Sequence, residues 1–111
     1  MIKILYHHDK SCPILICDIC GKKIENINNG SVAFRLSDPQ GVYLVEGDLT
    51  DPLYVHSGEC FLKAEAKLGE MQATGSEALS FHLYYLARNL GLGLEKYKEV
   101  EKDYEEFFEF I

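Results

Sequence analysis

The sequence predicts a small α+β fold, with short strands in its first half and helices in its second. Short runs rich in β-branched residues, separated by turn residues, occupy residues 2–55. From about residue 58 onwards, apolar residues recur at helical spacing. The chain has 111 residues, of which 47% are apolar, so it has room for one small core. We expect such a core to need an additional stabilising device.

The first half of the chain is predicted to contain two hairpins and a final strand. Each proposed strand is short, contains β-branched or aromatic residues, and is bounded by turn residues. The turn of the second hairpin contains Pro39 and Gly41, which suit a tight reversal of the chain. The final strand leads directly to His56. The predicted strands are residues 2–6, 13–17, 31–36, 42–45 and 53–55.

Two helices are predicted between residues 58 and 90. The first covers about 58–72, with Ser57 at the N-cap position. The second begins at Ser76 and ends at Gly91, a residue that suits a helix C-terminus. Each has an apolar stripe at helical spacing, formed by Phe61, Ala64, Leu68 and Met71 in the first helix, and by Leu79, Leu83, Leu86 and Leu90 in the second.

The C-terminal segment predicts a third helix, at about 94–110, with a narrow apolar seam. The seam residues are separated by steps of three and four, as are the a and d positions of a coiled coil. A helix this short cannot bury so many aromatic side chains by itself. We therefore expect the seam to pack on the second helix or to bind a second copy or another protein. Its residues are Tyr97, Val100, Tyr104, Phe107 and Ile111.

The strongest chemical signal is a C-x2-C turn at residues 17–21, followed later in the chain by His56 and Cys60. Two thiolates from one tight turn can bind the same ion, and Gly21 permits the positive φ that such a turn adopts. Cys60 is expected in the first turn of a helix, where the helix dipole favours a thiolate. Three thiolates and one imidazole complete the tetrahedral set that Zn²⁺ prefers. We therefore predict a structural zinc site formed by Cys17, Cys20, His56 and Cys60.

These residues resemble the treble-clef group of zinc-binding domains, in which a knuckle, a hairpin and a helix N-terminus surround one zinc ion, as in each half of a LIM domain. They are also similar to short bacterial proteins that carry a C-x2-C knuckle followed by H-x3-C. The resemblance covers residues 17–23 and 56–68. It implies ligand roles for the same four side chains. We expect a treble-clef-like zinc domain at 1–72 and a helical extension at 76–111.

Two other uses of the cysteines remain open. Cys12, Cys17 and Cys20 have C-x4-C-x2-C spacing and are followed by the distant Cys60, which is the outline of a plant-type 2Fe–2S site. The apolar run between Cys12 and Cys17 instead favours an extended strand, which would separate these two thiols by more than about 15 Å. A C-x2-C pair can also act as a redox dithiol, although that chemistry favours a strand-to-helix turn. In the zinc interpretation, Cys12 is a core-facing thiol.

Charge and composition narrow the possible partners. The net charge of −7 disfavours direct binding to nucleic acid or to anionic lipid, which leaves an accessory role in a nucleic-acid-associated complex as an alternative. The N-terminal apolar run is shorter than that of a signal peptide, and no segment reaches membrane-spanning length. Four cysteines without such a signal favour a reducing compartment. We therefore expect a cytoplasmic protein.

No catalytic group of residues stands out in the sequence. Adjacent strand residues point to opposite faces, so His7 and His8 are not expected to bind one ion together. His82, between two apolar residues of a predicted helix, is expected to be a packing residue. The acidic residues of the third helix describe a solvated face. The sequence thus predicts a non-enzymatic interaction or dimerisation module.

Overall fold

The computed structural model describes residues 1–37, 40, 42, 47, 52–69 and 74–108. These residues form two small antiparallel sheets and three α-helices, which confirms the predicted α+β class. Within these ranges, no helix combines the length and the apolar character that crossing a lipid bilayer requires. The elements are β1 (Ile2–His7), β2 (Lys10–Leu15), a 3₁₀ helix (Ile27–Asn29), β3 (Gly30–Arg35), β4 (Leu53–His56), α1 (Glu59–Leu68), β5 (Thr74–Ala78), α2 (Leu79–Asn89) and α3 (Leu94–Phe108).

The first two strands form the predicted hairpin. They pair antiparallel, with Ile2 of β1 opposite Leu15 of β2. His8 and Asp9, between the strands, both have positive φ, which is the conformation of a two-residue type I′ turn. Since β2 ends at Leu15, Cys17 lies just beyond the hairpin rather than within its second strand.

A three-stranded antiparallel sheet, in the order β4-β3-β5, lies at the centre of the fold. Ser31 of β3 lies opposite Val55 of β4 and opposite Ala78 of β5. The predicted second hairpin joined residues 31–36 to 42–45. Residues 43–45 lie outside the described residues, so this hairpin stays a prediction. Among the described residues, β3 pairs with β4 and β5.

Residues 74–78 form a strand, whereas the sequence predicted that Ser76 begins a helix. Ser76 lies opposite Ala33 in the β5–β3 pair, and α2 begins at Leu79. Residues 74–78 form a strand because pairing with β3 gives hydrogen-bond partners to the backbone N–H and C=O groups along that edge of β3. This gain outweighs the low strand propensity of Gly75. The division of the chain between residues 72 and 76 stays a prediction.

The helix α1 begins as predicted, but its N-cap differs. Gly58, with φ of 87°, occupies that position, and the Ser57 hydroxyl hydrogen-bonds instead with the Ser31 hydroxyl at 2.8 Å. The helix ends at Leu68, and the predicted stripe residue Met71 lies outside the described residues.

The core lies between the three-stranded sheet and α1, where the apolar faces of both elements meet. Two residues of the predicted α1 stripe, Ala64 and Leu68, are buried in it. Cys17 is 1% exposed and belongs to the same cluster, so the cysteine turn is anchored in the core. The buried apolar residues are Cys17, Ile24, Val32, Ala33, Val55, Ala64, Leu68 and Leu79.

Candidate metal centre

The structure brings the four predicted ligands together. The ligand atoms of Cys17, Cys20, His56 and Cys60 all lie within 4.8 Å of one another. Around a tetrahedral zinc ion, with Zn–S of about 2.3 Å and Zn–N of about 2.0–2.1 Å, neighbouring ligand atoms are roughly 3.5–4 Å apart. Cys20 Sγ and His56 Nδ1 are separated by 3.3 Å. The cluster could therefore hold a metal ion after small adjustments of its side chains.

The knuckle that carries Cys17 and Cys20 is a closed turn. The Cys17 N–H donates to the Lys22 carbonyl at 2.9 Å, and the Gly21 N–H donates to the Cys17 carbonyl at 3.0 Å. Gly21 has φ of 75°, as predicted. A Cβ at this position would meet nothing within 4 Å, so the positive φ, rather than crowding, is what favours glycine.

Asp18 ties the knuckle to β4 in both directions. Its backbone N–H donates to the Tyr54 carbonyl at 2.8 Å, and its carboxylate accepts from the Tyr54 N–H at 2.8 Å. The same carboxylate lies 3.2 Å from the ammonium group of Met1. Because Tyr54 precedes His56 by two residues on the same strand, these bonds fix the distance between the knuckle and the histidine. Sequence reasoning missed this role, since the C-x2-C spacing indicates only which cysteines can share an ion and not the contacts of the residues between them.

His56 is oriented by hydrogen bonds at both of its ring nitrogens. Nε2 lies 3.1 Å from the Lys23 carbonyl, which can only accept, so Nε2 carries the hydrogen. Nδ1 is then left with a lone pair, and it points at the cysteine cluster, 3.3 Å from Cys20 Sγ. In metal sites, the ring nitrogen of a ligand histidine that does not bind the metal typically donates its N–H to a carbonyl, and this bond fixes the tautomer and the ring orientation.

The thiols of Cys17 and Cys60 have opposite pKa shifts. Burial opposes ionisation of Cys17, but hydrogen bonds from the backbone N–H groups of Cys20, His56 and Ile19 outweigh it and lower the pKa to about 6. Desolvation, followed by hydrogen bonds and charge from Cys17 and Cys20, raises the pKa of Cys60 to about 11. Crowded thiolates repel one another, so a cation is needed to hold all three deprotonated at one point.

Cys12 does not join the cluster. It lies in β2 opposite Leu5 and is half-buried, and all four cysteines of the chain are free thiols. The metal-binding group found among the described residues contains only the knuckle cysteines, His56 and Cys60. His8 lies exposed in the hairpin turn and is also outside this group.

A second polar cluster, which sequence reasoning also missed, links α2 to the sheet. His82 Nε2 lies 3.1 Å from the Tyr54 hydroxyl, and His82 Nδ1 lies 3.4 Å from the Glu77 carboxylate. Tyr54 and Glu77 lie opposite Val32 from the two neighbouring strands, so His82 spans the sheet between them. Burial, and then the charges of Asp18 and Glu77, raise the pKa of Tyr54, which keeps its hydroxyl protonated. His82 therefore fastens α2 to the sheet.

Comparison of the chain with protein-family models, with curated proteins and with solved structures gives no match.

Proposed function

We propose that the protein is a non-enzymatic zinc protein, in which one structural Zn²⁺ ion joins the knuckle, β4 and the N-terminus of α1. The observation that carries the proposal is the convergence of three thiols and one imidazole within 4.8 Å, with the second nitrogen of His56 bonded to a backbone carbonyl. This donor set suits Zn²⁺ better than the hard, oxygen-preferring cations. The ion would connect elements that are far apart in the sequence.

The order of the elements supports a treble-clef-like site. A knuckle supplies the first two ligands, antiparallel strands follow, and Cys60 is contributed from the first turn of a helix. In this arrangement the ion closes one side of the small core, which Cys17 enters directly. Structural zinc in finger peptides binds with about 10–16 kcal/mol of apparent free energy, which is comparable to the whole stability of a domain.

Four protein ligands favour a structural role over a catalytic one. They complete the tetrahedral coordination of zinc and leave no position for a reactive water molecule. The plant-type iron–sulfur alternative requires Cys12, which lies outside the cluster. The net charge of −7 favours a protein partner over nucleic acid. The function that follows is to hold a rigid base from which the helices α2 and α3 are presented to a protein partner.

Metal analysis with thiol counting tests this proposal. The purified full chain is expected to contain one zinc ion per chain, with three thiols that react with a thiol reagent only after a chelator is added. Cys12→Ser should keep the ion and remove the one thiol outside the cluster, whereas His56→Ala should bind zinc much more weakly. Stoichiometric iron with inorganic sulfide, or loss of the metal in Cys12→Ser, would favour the iron–sulfur alternative instead.

A further inference from the structure

The part of the seam of α3 within residues 94–106 lies on the surface of the protein, whereas the predicted seam residue Ile111 lies outside the described residues. Residues 94–106 are all exposed, and Tyr97, Val100 and Tyr104 have 53%, 49% and 55% of their surface accessible. The helix has 15 residues, a length at which an isolated helix is only marginally stable in water. A second surface that covered the seam would therefore stabilise the helix as well as bury its aromatic side chains.

An apolar groove adjoins the seam at its N-terminal end. The groove has a volume of about 680 Å³ and lies between α2, the turn that follows it and the first turns of α3. Tyr97 belongs to both the groove and the seam, so the two form one continuous apolar surface. The other apolar side chains of the groove include Ile27, Leu83, Tyr84, Ala87, Leu92 and Leu94.

We propose that this surface binds a second copy of the chain, with the two α3 helices paired in parallel as a short coiled coil. With Tyr97 and Tyr104 at a positions and Val100 at a d position, each layer of the seam meets the same layer of the other copy. The groove at the base of α3 is covered in the same interface. The charges beside the seam favour a second copy of the chain in a parallel orientation.

In this register, Lys96 occupies a g position and Glu101 the e position of the next heptad. In a parallel dimer, a g residue faces the e residue five positions further along the other helix, so Lys96 of each copy meets Glu101 of the other. Within one chain, Lys96 contacts Glu99 at 3.3 Å, but both side chains are about 60% exposed. Exposed pairs of this kind contribute little, so Lys96 can exchange its partner at small cost.

The antiparallel arrangement of the same seam lacks this complementarity. Pairing the Tyr97 layer with the Phe107 layer would place the two-fold axis near residue 102. Glu101 and Asp103 would then each face their own counterpart, and like charges in contact destabilise a coiled coil. The remaining acidic residues occupy the outer b, c and f positions, where salt screens the repulsion between the two copies. Within the described part of α3, these residues are Glu95, Glu99, Glu105 and Glu106.

The mass of the full chain in solution gives the first test. Sedimentation equilibrium of the zinc-loaded protein is expected to yield twice the chain mass of 12.6 kDa. Val100→Glu puts a charge in the middle of the seam and should raise the dissociation constant at least about tenfold. Zinc content and far-UV circular dichroism are measured for every variant, because unchanged values separate a failure of dimerisation from a failure of the metal site.

Charge exchange gives the second test. Lys96→Glu and Glu101→Lys should each weaken the dimer, whereas the double variant should restore it. A 1:1 mixture of the two single variants should also associate, since each then offers the charge that the other lacks. Lys98→Glu, the same change at an outer position of the same helix, is the matched control and should leave the mass unchanged.

Three results would overturn the proposal. The first is a wild-type chain that stays monomeric at all concentrations. The second is a dimer that survives Val100→Glu, which would place the interface elsewhere. The third is a dimer in which Lys96→Glu and Lys98→Glu have equal effects, or in which the double variant does not recover, which would exclude the parallel pairing.

Discussion

The knuckle region and the C-terminal helix differ in how far their side chains are buried by the rest of the chain. Around Cys17, backbone hydrogen bonds close the knuckle and join Asp18 to Tyr54 of β4, and the Cys17 thiol itself is buried. Along α3, by contrast, all residues from 94 to 106 are exposed. Apart from the proposed metal, the knuckle region thus has its stabilising contacts within the chain. The C-terminal helix has an exposed apolar seam, which we propose is the binding surface for a second chain.

Because of this difference, we expect different residues to determine the stability of the folded chain and its association with a second chain. Substitutions in the knuckle and in the sheet should affect folding, whereas substitutions in α3 should affect association and leave the folded chain intact. Variants chosen in matched pairs, one in each region or one inside and one outside the cluster, test this separation directly.

The largest effect is expected for Cys17→Ser, which removes a ligand that is also a core residue. A structural zinc site supplies about 10–16 kcal/mol, and a domain of this kind has roughly 5–15 kcal/mol of stability in all, so we expect loss of cooperative unfolding. Thermal unfolding by circular dichroism, with metal analysis, measures this. Cys12→Ser is the matched control and should change stability by less than about 1 kcal/mol. A native-like transition in Cys17→Ser would contradict the proposed role of the metal.

The same substitution at two valines compares the regions directly. Val55 in β4 is fully buried, and Val55→Ala should cost about 2 kcal/mol through lost burial and the cavity left behind. Val100 in α3 is 49% exposed, and Val100→Ala should change the unfolding free energy of the monomer by less than about 0.5 kcal/mol. Denaturant unfolding of dilute protein measures both values. Equal costs would show that α3 is part of the folding core.

Metal affinity should fall as the pH is lowered, because protons compete for the thiolates. The lowered pKa of Cys17 means that its thiolate contributes stability above the ordinary thiol pKa of 9.0, and that this contribution is lost as the pH falls through about 6. The raised pKa of Cys60 has the opposite sign: its contribution is present below 9.0 and lost as the pH rises through about 11.

Cys60 must therefore release its proton when metal binds at neutral pH. We expect the affinity to fall about tenfold per pH unit for each proton released, between about pH 8 and pH 6.5. Competition with a chelator of known proton affinity measures this slope. A zinc affinity that does not depend on pH over this range would show that the thiols are not the ligands.

The smallest effect is expected for Asp18, which acts through the backbone of β4. Asp18→Ala leaves the N–H of Tyr54 without its acceptor and should cost about 1 kcal/mol or slightly more. Asp18→Asn keeps a side-chain oxygen and should lose less. Denaturant unfolding and chelator competition together measure the two variants. If Asp18→Ala weakened neither stability nor zinc binding, the link between knuckle and strand would have no energetic role.

The candidate site was predictable from the sequence because its ligands occur in two local pairs. Spacing within each pair fixes which side chains can share an ion, and Gly21 supplies the expected positive φ. The contacts that orient these ligands were not predictable. The hydrogen bond between Asp18 and Tyr54 joins residues 36 positions apart in the sequence, and the one between Tyr54 and His82 joins residues 28 positions apart. No local sequence pattern predicts such long-range pairs.

The secondary structure was also predictable only in part. The helices were predicted because periodicity is a local signal, and Gly58, Gly69 and Gly91 mark their ends close to the expected positions. The strand β5 was missed, since the sequence Thr-Gly-Ser-Glu-Ala has little intrinsic preference for a strand. It is a strand because β3 offers a free edge, and an edge is a property of the assembled sheet.

X-ray absorption at the zinc edge of the purified protein measures the coordination of the proposed ion. We expect a first coordination shell of three sulfur atoms at about 2.3 Å and one nitrogen at about 2.0–2.1 Å, with no oxygen from water. In His56→Ala, the nitrogen contribution should be lost or replaced by oxygen. A shell with an oxygen ligand in the wild-type protein, or with fewer than three sulfurs, would contradict a closed structural site built from Cys17, Cys20, His56 and Cys60.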